Sequence, residues 1–381
     1  MRFLHTSDWH LGRQLHGLSL HDAHQAFVDH LVDVARSERV DAVLIAGDLY
    51  DRAVPPPDAV GLWDQAQTRL VVEAGTSVVV IAGNHDSPAR LGVGSRLLER
   101  AGVHVRVGTA AVGTPVLLED DETRVACYPV PFLEPASAVT DWAVEERSHA
   151  AALRVAMGKV RSDLAVRPGY RSVVMAHAFV SGGQQCDTER DISVGGVQHV
   201  PGAVFEGVDY VALGHLHGRQ RLAEGLRYSG SPLAFSFSEA AHIKSSYLVD
   251  LDGGGLCGVE EVPAPVPRRM ARLTGTVEEL LNSPIYGAYE QCWVEATLTD
   301  RVRPVSPYER LKRRFPHLLK LVVPSVAVEV GSRTLAELDR LAPVEVALDF
   351  VTEVRGRSAD GDEVALLHRA FDELRRAEVT R

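Results

Sequence analysis

Five short polar clusters hold the residues best suited to chemistry. They are Asp8 and His10 in SDWHLG, Asp48 in GDLYD, Asn84 and His85 in GNHDS, His177 in MAHAF, and His215 and His217 in GHLHG. Asp8, Asp48, Asn84, His10, His177, His215 and His217 supply two carboxylates, one amide oxygen and four imidazoles, with no thiolate. Mixed oxygen and nitrogen donors suit Mn²⁺ or Fe²⁺ better than Ca²⁺ or a thiolate-preferring ion. A single Asp such as Asp48 has two oxygens and can bridge two cations. Two ions roughly 3.5–4 Å apart activate water and hold a leaving oxygen in phosphoryl chemistry. Asp8 and His10 are two residues apart, a spacing that points both side chains the same way in extended chain. Each cluster alone reads equally well as a turn. Their joint occurrence, each at the end of an apolar run, argues for a site.

Those apolar runs must position the clusters. RFLHT, DAVLIAG, SVVVIAG, SVVMAH and DYVALG read as buried strands, and helical patterns lie between them, as in His21 to Arg39 with Ala26, Phe27, His30, Leu31, Val34 and Ala35. Strand, loop, helix, strand implies an α/β domain. In such sheets sites lie outside the carboxyl ends of strands, where all five clusters fall. The proline-rich, basic PAPVPRR from Pro263 to Arg269 reads as a linker. The expected organisation is a catalytic domain over 1–262, a small α/β cap over 263–332 and a two-helix tail over 333–381. In the tail Val364, Leu367, Phe371 and Leu374 form an apolar stripe.

Composition narrows the class. The 381 residues are 45% apolar and 24% charged, a globular balance too long for one ordinary core. No apolar run approaches the roughly 20 residues of a membrane span, and the N-terminus has no secretory core, so the expected location is the cytoplasm. Four scattered cysteines with no CxxC pair argue against a zinc knuckle or a disulfide framework. The net charge is −11. Ala264 to Arg381 carries 18 basic and 18 acidic residues, so the acidic excess sits entirely in residues 1–263. That excess repels phosphates unless bound cations offset it locally.

DWHLG, GDLYD, GNHDS, AHAFVSGG and GHLHG together resemble the calcineurin-like metallophosphoesterases. MRFLHTSDWHLGR, ERDISVGG, DYVALGHLHGRQ and YSGSPLAFSFSE extend the likeness to that family's SbcD-type nuclease subunits. The resemblance covers most of residues 1–250 and weakens beyond. It implies two sheets sandwiched between helices, not a doubly wound sheet. It implies one metal held by Asp8, His10, Asp48 and His217, and a second by Asp48, Asn84, His177 and His215, most fittingly Mn²⁺. It implies that His85 is no ligand but sits beside the scissile phosphate, as general acid or as stabiliser of transition-state charge; an imidazole can do either near neutral pH.

The implied activity is a metal-dependent DNA nuclease for repair and recombination, a 3′→5′ exonuclease on duplex ends and an endonuclease on single strands and hairpins. Its implied partners are DNA and an SbcC-type coiled-coil ATPase meeting the tail stripe, with a homodimer inside a heterotetramer. The chain has no GxxxxGK[ST], so any ATP dependence belongs to that partner. The alternatives are a small-molecule phosphodiesterase using the same donors and a non-catalytic scaffold. Arg13, Arg90, Arg310, Lys312, Arg313 and Arg314 are the candidate DNA contacts, each of which also reads as an ordinary surface charge. Asp51 and Asp86 are expected to orient ligands or cap turns. His5, His21, His24 and His30 are expected to be solvated or to back up ligands, and His16 is left open.

Overall fold

A computed structural model describes residues 1–189, 199–300, 302–323 and 341–379. The ERDISVGG loop beyond Glu189 lies outside the described residues, as do the end of the expected cap and the start of the expected tail. The chain divides into two compact units, Met1–Ala271 and Arg272–Arg381.

The first unit is built on two six-stranded sheets. One runs in the order Gly255–Pro263, Ser245–Asp252, Arg2–Thr6, Ala42–Ile45, Ser77–Ile81, Val103–Arg106. Its last four strands are mutually parallel. The other runs Gln220–Ala223, Leu226–Tyr228, Tyr210–Gly214, Arg171–His177, Arg124–Val130, Val116–Glu119, again with four parallel strands, here at its centre.

The sequence pattern explains the layering. Parallel strands buried on both faces need apolar side chains at every position, and alternate residues then serve opposite faces. Phe3, Leu44, Val79 and Ile81 turn inward and meet Cys127, Val173, Met175 and Tyr210 of the other sheet. Leu4, Val43, Ile45, Val78 and Val80 turn outward against the helices His21–Ser37 and Pro57–Val72, through Phe27, Leu31 and Leu62. On the far side Tyr128, Val174 and Val211 pack on Ala152, Ala156, Met157 and Val160 of the helix His149–Leu164. The result is helix, sheet, sheet, helix, as the resemblance implied. In His21–Ser37 the buried stripe is His24, Phe27, Val28, Leu31, Val32 and Ala35. Ala26, His30 and Val34 are only half-buried, one step around from the expected stripe.

The second unit holds a three-stranded sheet of Met270–Gly275 (apart from that strand's first two residues), Trp293–Leu298 and Leu318–Val322. The helix Val277–Asn282 starts on a capping box between Thr276 and Glu279, which satisfies two terminal N–H groups. The basic helix Pro307–Arg314 follows, and the helices Pro343–Arg355 and Gly361–Val379 pack together at the end. No helix among the described residues is long and apolar enough to cross a membrane.

Candidate metal centre

The five polar clusters meet where parallel strands of the two sheets end. The strand Arg2–Thr6 stops before Ser7, so Asp8 and His10 are not in extended chain. They converge for a different reason than strand alternation. Asp8, His10, Asp48 and His215 take φ of 53°, 47°, 49° and 106°, a region that costs a non-glycine residue about 1–3 kcal/mol. Such strain persists only where the surroundings impose it. Here the N–H of Asp8 donates to Gly47 O at 3.0 Å, that of His10 to Asp48 O at 3.0 Å, and that of His215 to both Asp8 oxygens at 3.1 Å. Two glycines allow the close approach. A Cβ at Gly214 would collide with Ala46 O, and one at Gly83 with the Asp48 carboxylate.

The side chains form two adjoining groups around Asp48. In one, His10 Nε2 lies 3.2 Å from His217 Nε2 and 3.7 Å from Asp48 Oδ2. Asp8, His10 and His217 offer donor atoms within 4.8 Å of one another. In the other, His177 Nε2 lies 3.5 Å from the same Asp48 Oδ2 and 2.9 Å from Asn84 Oδ1, and His215 Nδ1 is 3.3 Å from that amide oxygen. Asp48 Oδ2 thus faces both groups, while Oδ1 accepts the His85 N–H at 2.8 Å. All seven expected ligands are brought together.

Charge and burial fit cations here. Asp8, His10, Asp48, His177, His215 and His217 are all at most 2% exposed. Among the described residues neither Asp8 nor Asp48 pairs with Lys or Arg. Burial pushes the Asp8 carboxyl up to about 6 and holds His10 well below the usual imidazole range. Burial takes His215 down to about 3. At His177 burial also disfavours charge, but Asp48 overrides it and raises the imidazole to about 9. His177 sets one positive charge against two buried carboxylates, which leaves room for further positive charge, and hard to borderline divalent ions fit these donors.

His85 sits beside this centre. Its Nδ1 lies 2.7 Å from Asp51 O, which makes Nδ1 the protonated nitrogen and leaves Nε2 available. Its ring is 4.7 Å from that of His10, edge-on. A third group of donors, His10, Asp51 and His85, also lies within 4.8 Å. Its geometry reads better as support than as an ion site. Asp51 Oδ1 is 3.6 Å from His10 Nδ1, which has no hydrogen-bond partner among the described residues, and it accepts from Arg13 at 2.8 Å. At that separation the carboxylate acts on His10 by charge, favouring hydrogen on Nδ1, without a direct hydrogen bond. Asp86 accepts three backbone N–H groups, from Gly83 at 2.9 Å, Leu49 at 3.1 Å and Tyr50 at 2.9 Å. It ties the loop of Asp48 to the loop of Asn84 and His85.

The remaining expected residues fall in different places. Arg13 lies over the Phe235 ring at 5.3 Å, close to the centre. Arg90 is exposed and donates to Ala53 O at 3.0 Å. Arg310, Lys312, Arg313 and Arg314 lie on one helix of the second unit. There Arg310 pairs with Glu278, Lys312 sits over Tyr308, and Arg314 pairs with Glu290. His16 stacks on Phe237. His5 and His24 are buried, not solvated: His5 bridges Tyr210 Oη and Leu213 O, and His24 Nε2 reaches Trp9 O at 2.8 Å.

Sequence reasoning did not single out Thr188, Glu239, Lys244 or Phe235. Phe235 lies against the rings of His10 and His217. Glu239 is fully buried, and although burial opposes its charge, His217 and then Lys244 hold its carboxyl far below the usual range. Phe235 and Glu239 belong to the quoted SGSPLAFSFSE, but nothing in that stretch signals that it reaches His217.

Comparison with known proteins identifies the family. Residues 1–219 match the calcineurin-like phosphoesterase family. Residues 266–355 match the family described as the type 5 capsule protein repressor C-terminal domain. The SbcD subunit of the SbcCD nuclease from Escherichia coli strain K12 is 35% identical over 292 residues, covering 74% of this chain and 72% of that protein. The same subunit from Escherichia coli O157:H7 matches to the same extent. Among solved structures, one from Thermus thermophilus aligns with a TM-score of 0.40 and 14% identity, over 68% of this chain and 98% of that one. A dimetal phosphatase from Danio rerio aligns with a TM-score of 0.37 and 12% identity, over 70% and 99%. The matched residues 1–219 include all seven donors, and the chain belongs to the calcineurin-like phosphoesterases, within them to the SbcD nuclease subunits.

Proposed function

We propose that this chain is the Mn²⁺-dependent nuclease subunit of an SbcCD-type complex, cutting DNA phosphodiesters as a 3′→5′ exonuclease on duplex ends and an endonuclease on single strands and hairpins. The observation that supports it best is the placing of Asp48 Oδ2 between two groups of buried donors, 3.7 Å from His10 Nε2 and 3.5 Å from His177 Nε2. Asp8, His10, Asp48 and His217 would hold one ion, and Asp48, Asn84, His177 and His215 the other. When bound, such ions activate water and offset charge on the phosphate.

The chain's own residues do the rest. The His85 N–H fixes Asp48 Oδ1, so the bridging carboxylate cannot rotate. His85 Nδ1–H is held by Asp51 O, which turns Nε2 toward the proposed phosphate position; as the imidazolium, with hydrogen on both ring nitrogens, it would protonate the leaving oxygen from Nε2 or stabilise its charge. Two divalent ions bring up to four positive charges to a domain that carries the whole net charge of −11. Arg13 beside the centre, the exposed Arg90, and Arg310, Lys312, Arg313 and Arg314 in the second unit are proposed to meet the DNA backbone.

By its kinship with the SbcD subunits the chain is proposed to work with an SbcC-type coiled-coil ATPase, docked on the tail helices, and to form a homodimer within that assembly. The exposed Phe350, Val354, Leu366 and Leu374 leave apolar surface on those helices for such a contact. Mn²⁺-supplemented assays on end-labelled duplex DNA and on bis-p-nitrophenyl phosphate separate the substrates. Cleavage of the small ester with intact DNA, even with the ATPase present, would refute the nuclease assignment in favour of a small-molecule phosphodiesterase.

A further inference from the structure

We infer that Thr188, backed by Glu239 and Lys244, is a positioning residue that locks His217 in the tautomer able to bind a metal through Nε2. The inference rests on the reading of His217 as a ligand. His217 offers Nε2 to the centre, 3.2 Å from His10 Nε2, and turns Nδ1 away from it. That Nδ1 is 2.8 Å from Thr188 Oγ1, and Thr188 Oγ1 donates to Glu239 Oε1 at 2.6 Å. Glu239 Oε2 accepts from Lys244 Nζ at 2.5 Å.

The direction of these bonds follows from the fixed end. Lys244 has only donors, and it also donates to His217 O and Ser231 Oγ, each at 2.9 Å. A buried Glu239 against that ammonium is a carboxylate and can only accept. The Thr188 hydroxyl therefore spends its one proton on Glu239, and toward His217 it presents a lone pair. His217 Nδ1 must be the nitrogen that carries hydrogen, and Nε2 is left with the lone pair that a cation needs. In metal sites a carboxylate, a backbone carbonyl or a water commonly does this directly. Here Glu239 Oε1 is 3.5 Å from His217 Nδ1, beyond hydrogen-bond range, and the threonine hydroxyl relays the preference. The arrangement also fixes the ring's position, because Glu189 accepts the His217 N–H at 2.7 Å from the neighbouring residue.

A purely structural role would need only the shape of Thr188, and Thr188→Val keeps that shape while removing the hydroxyl. In metal-free protein labelled with ¹⁵N-histidine, long-range ¹H–¹⁵N spectra should show His217 as the Nδ1–H tautomer, and mixed or Nε2–H in Thr188→Val. Titration with Mn²⁺ should show one of two sites weakened about 10–100-fold in Thr188→Val, with Thr188→Ser restoring both tautomer and affinity. Wild-type tautomer and affinity in Thr188→Val would overturn the inference while leaving the ligand assignment standing. His217→Ala tests that assignment separately: it should lose one ion, and two ions bound at wild-type affinity would overturn both.

Discussion

Asp86→Asn tests how the centre is held together. The Asp86 carboxylate accepts Gly83 N–H and Leu49 N–H on Oδ2 and Tyr50 N–H on Oδ1. An asparagine side chain has one oxygen. Its best orientation keeps the two donors on one side and turns its NH₂ toward Tyr50 N–H, donor against donor. Leaving one buried N–H unsatisfied costs about 1–3 kcal/mol. Burial pushes Asp86 up to about 7, so a neutral amide escapes part of that desolvation. This offsets the weaker bonds at the remaining oxygen, which leaves a net loss of about 2 kcal/mol. For a unit of this size that lowers the melting midpoint by about 4–8 °C. The assay belongs at pH 8, where the wild-type group is ionised. The same change loosens Asp48 relative to Asn84 and His85, so Mn²⁺ affinity and cleavage rate should fall about 10–100-fold, the usual effect of losing such a support. An Asp86→Asn protein with wild-type melting and wild-type cleavage would show that the clamp does not hold the two loops.

Three further outcomes are expected. His85→Ala should retain both ions by calorimetry yet cleave DNA about 10²–10⁴-fold more slowly, the range for loss of a general acid; cleavage at the wild-type rate would remove His85 from the reaction. Burial disfavours charge on His177, but Asp48 raises it to about 9, so the metal-free protein holds that proton at pH 7 and must release it on metal uptake. Apparent Mn²⁺ affinity should then rise with pH and level off above about 9, and calorimetry in buffers of different ionisation enthalpy should register about one proton released; no buffer dependence would contradict it. Deleting residues 343–381 should abolish co-purification with the ATPase while leaving Mn²⁺ binding unchanged, and an undiminished complex would move that interface elsewhere.

The layout of the site was legible because apolar runs end abruptly in polar residues. VVVIAGNHD shows it best: Val78 to Ile81 fill two cores on alternate faces, and Asn84, His85 and Asp86 follow within five residues. The seven donors could be named from such ends, and their convergence follows from parallel strands. The path of the backbone was not legible. Asp8 and His10 share a side because both residues are left-handed, and that conformation is imposed by hydrogen bonds to Gly47 and Asp48 some forty residues away. The histidines with no motif were read least well. His5 has the composition of a surface residue, yet lies buried between Tyr210 and Leu213, more than 200 residues distant. Thr188, Glu239 and Lys244 escaped for the same reason, since hydrogen bonds across 27 to 51 residues leave no spacing to read. The two-sheet layering came from family resemblance, because alternating βα patterns alone fit a single sheet equally well.

The central claim is that Asp48 bridges two ions. Electron paramagnetic resonance of the Mn²⁺-loaded protein, with stoichiometry measured on the same sample, tests it most directly. Two Mn²⁺ per chain with an exchange-coupled spectrum, and loss of the coupling in Asp48→Asn, are predicted. A single Mn²⁺ per chain, or two that remain magnetically independent in the wild-type protein, would contradict it.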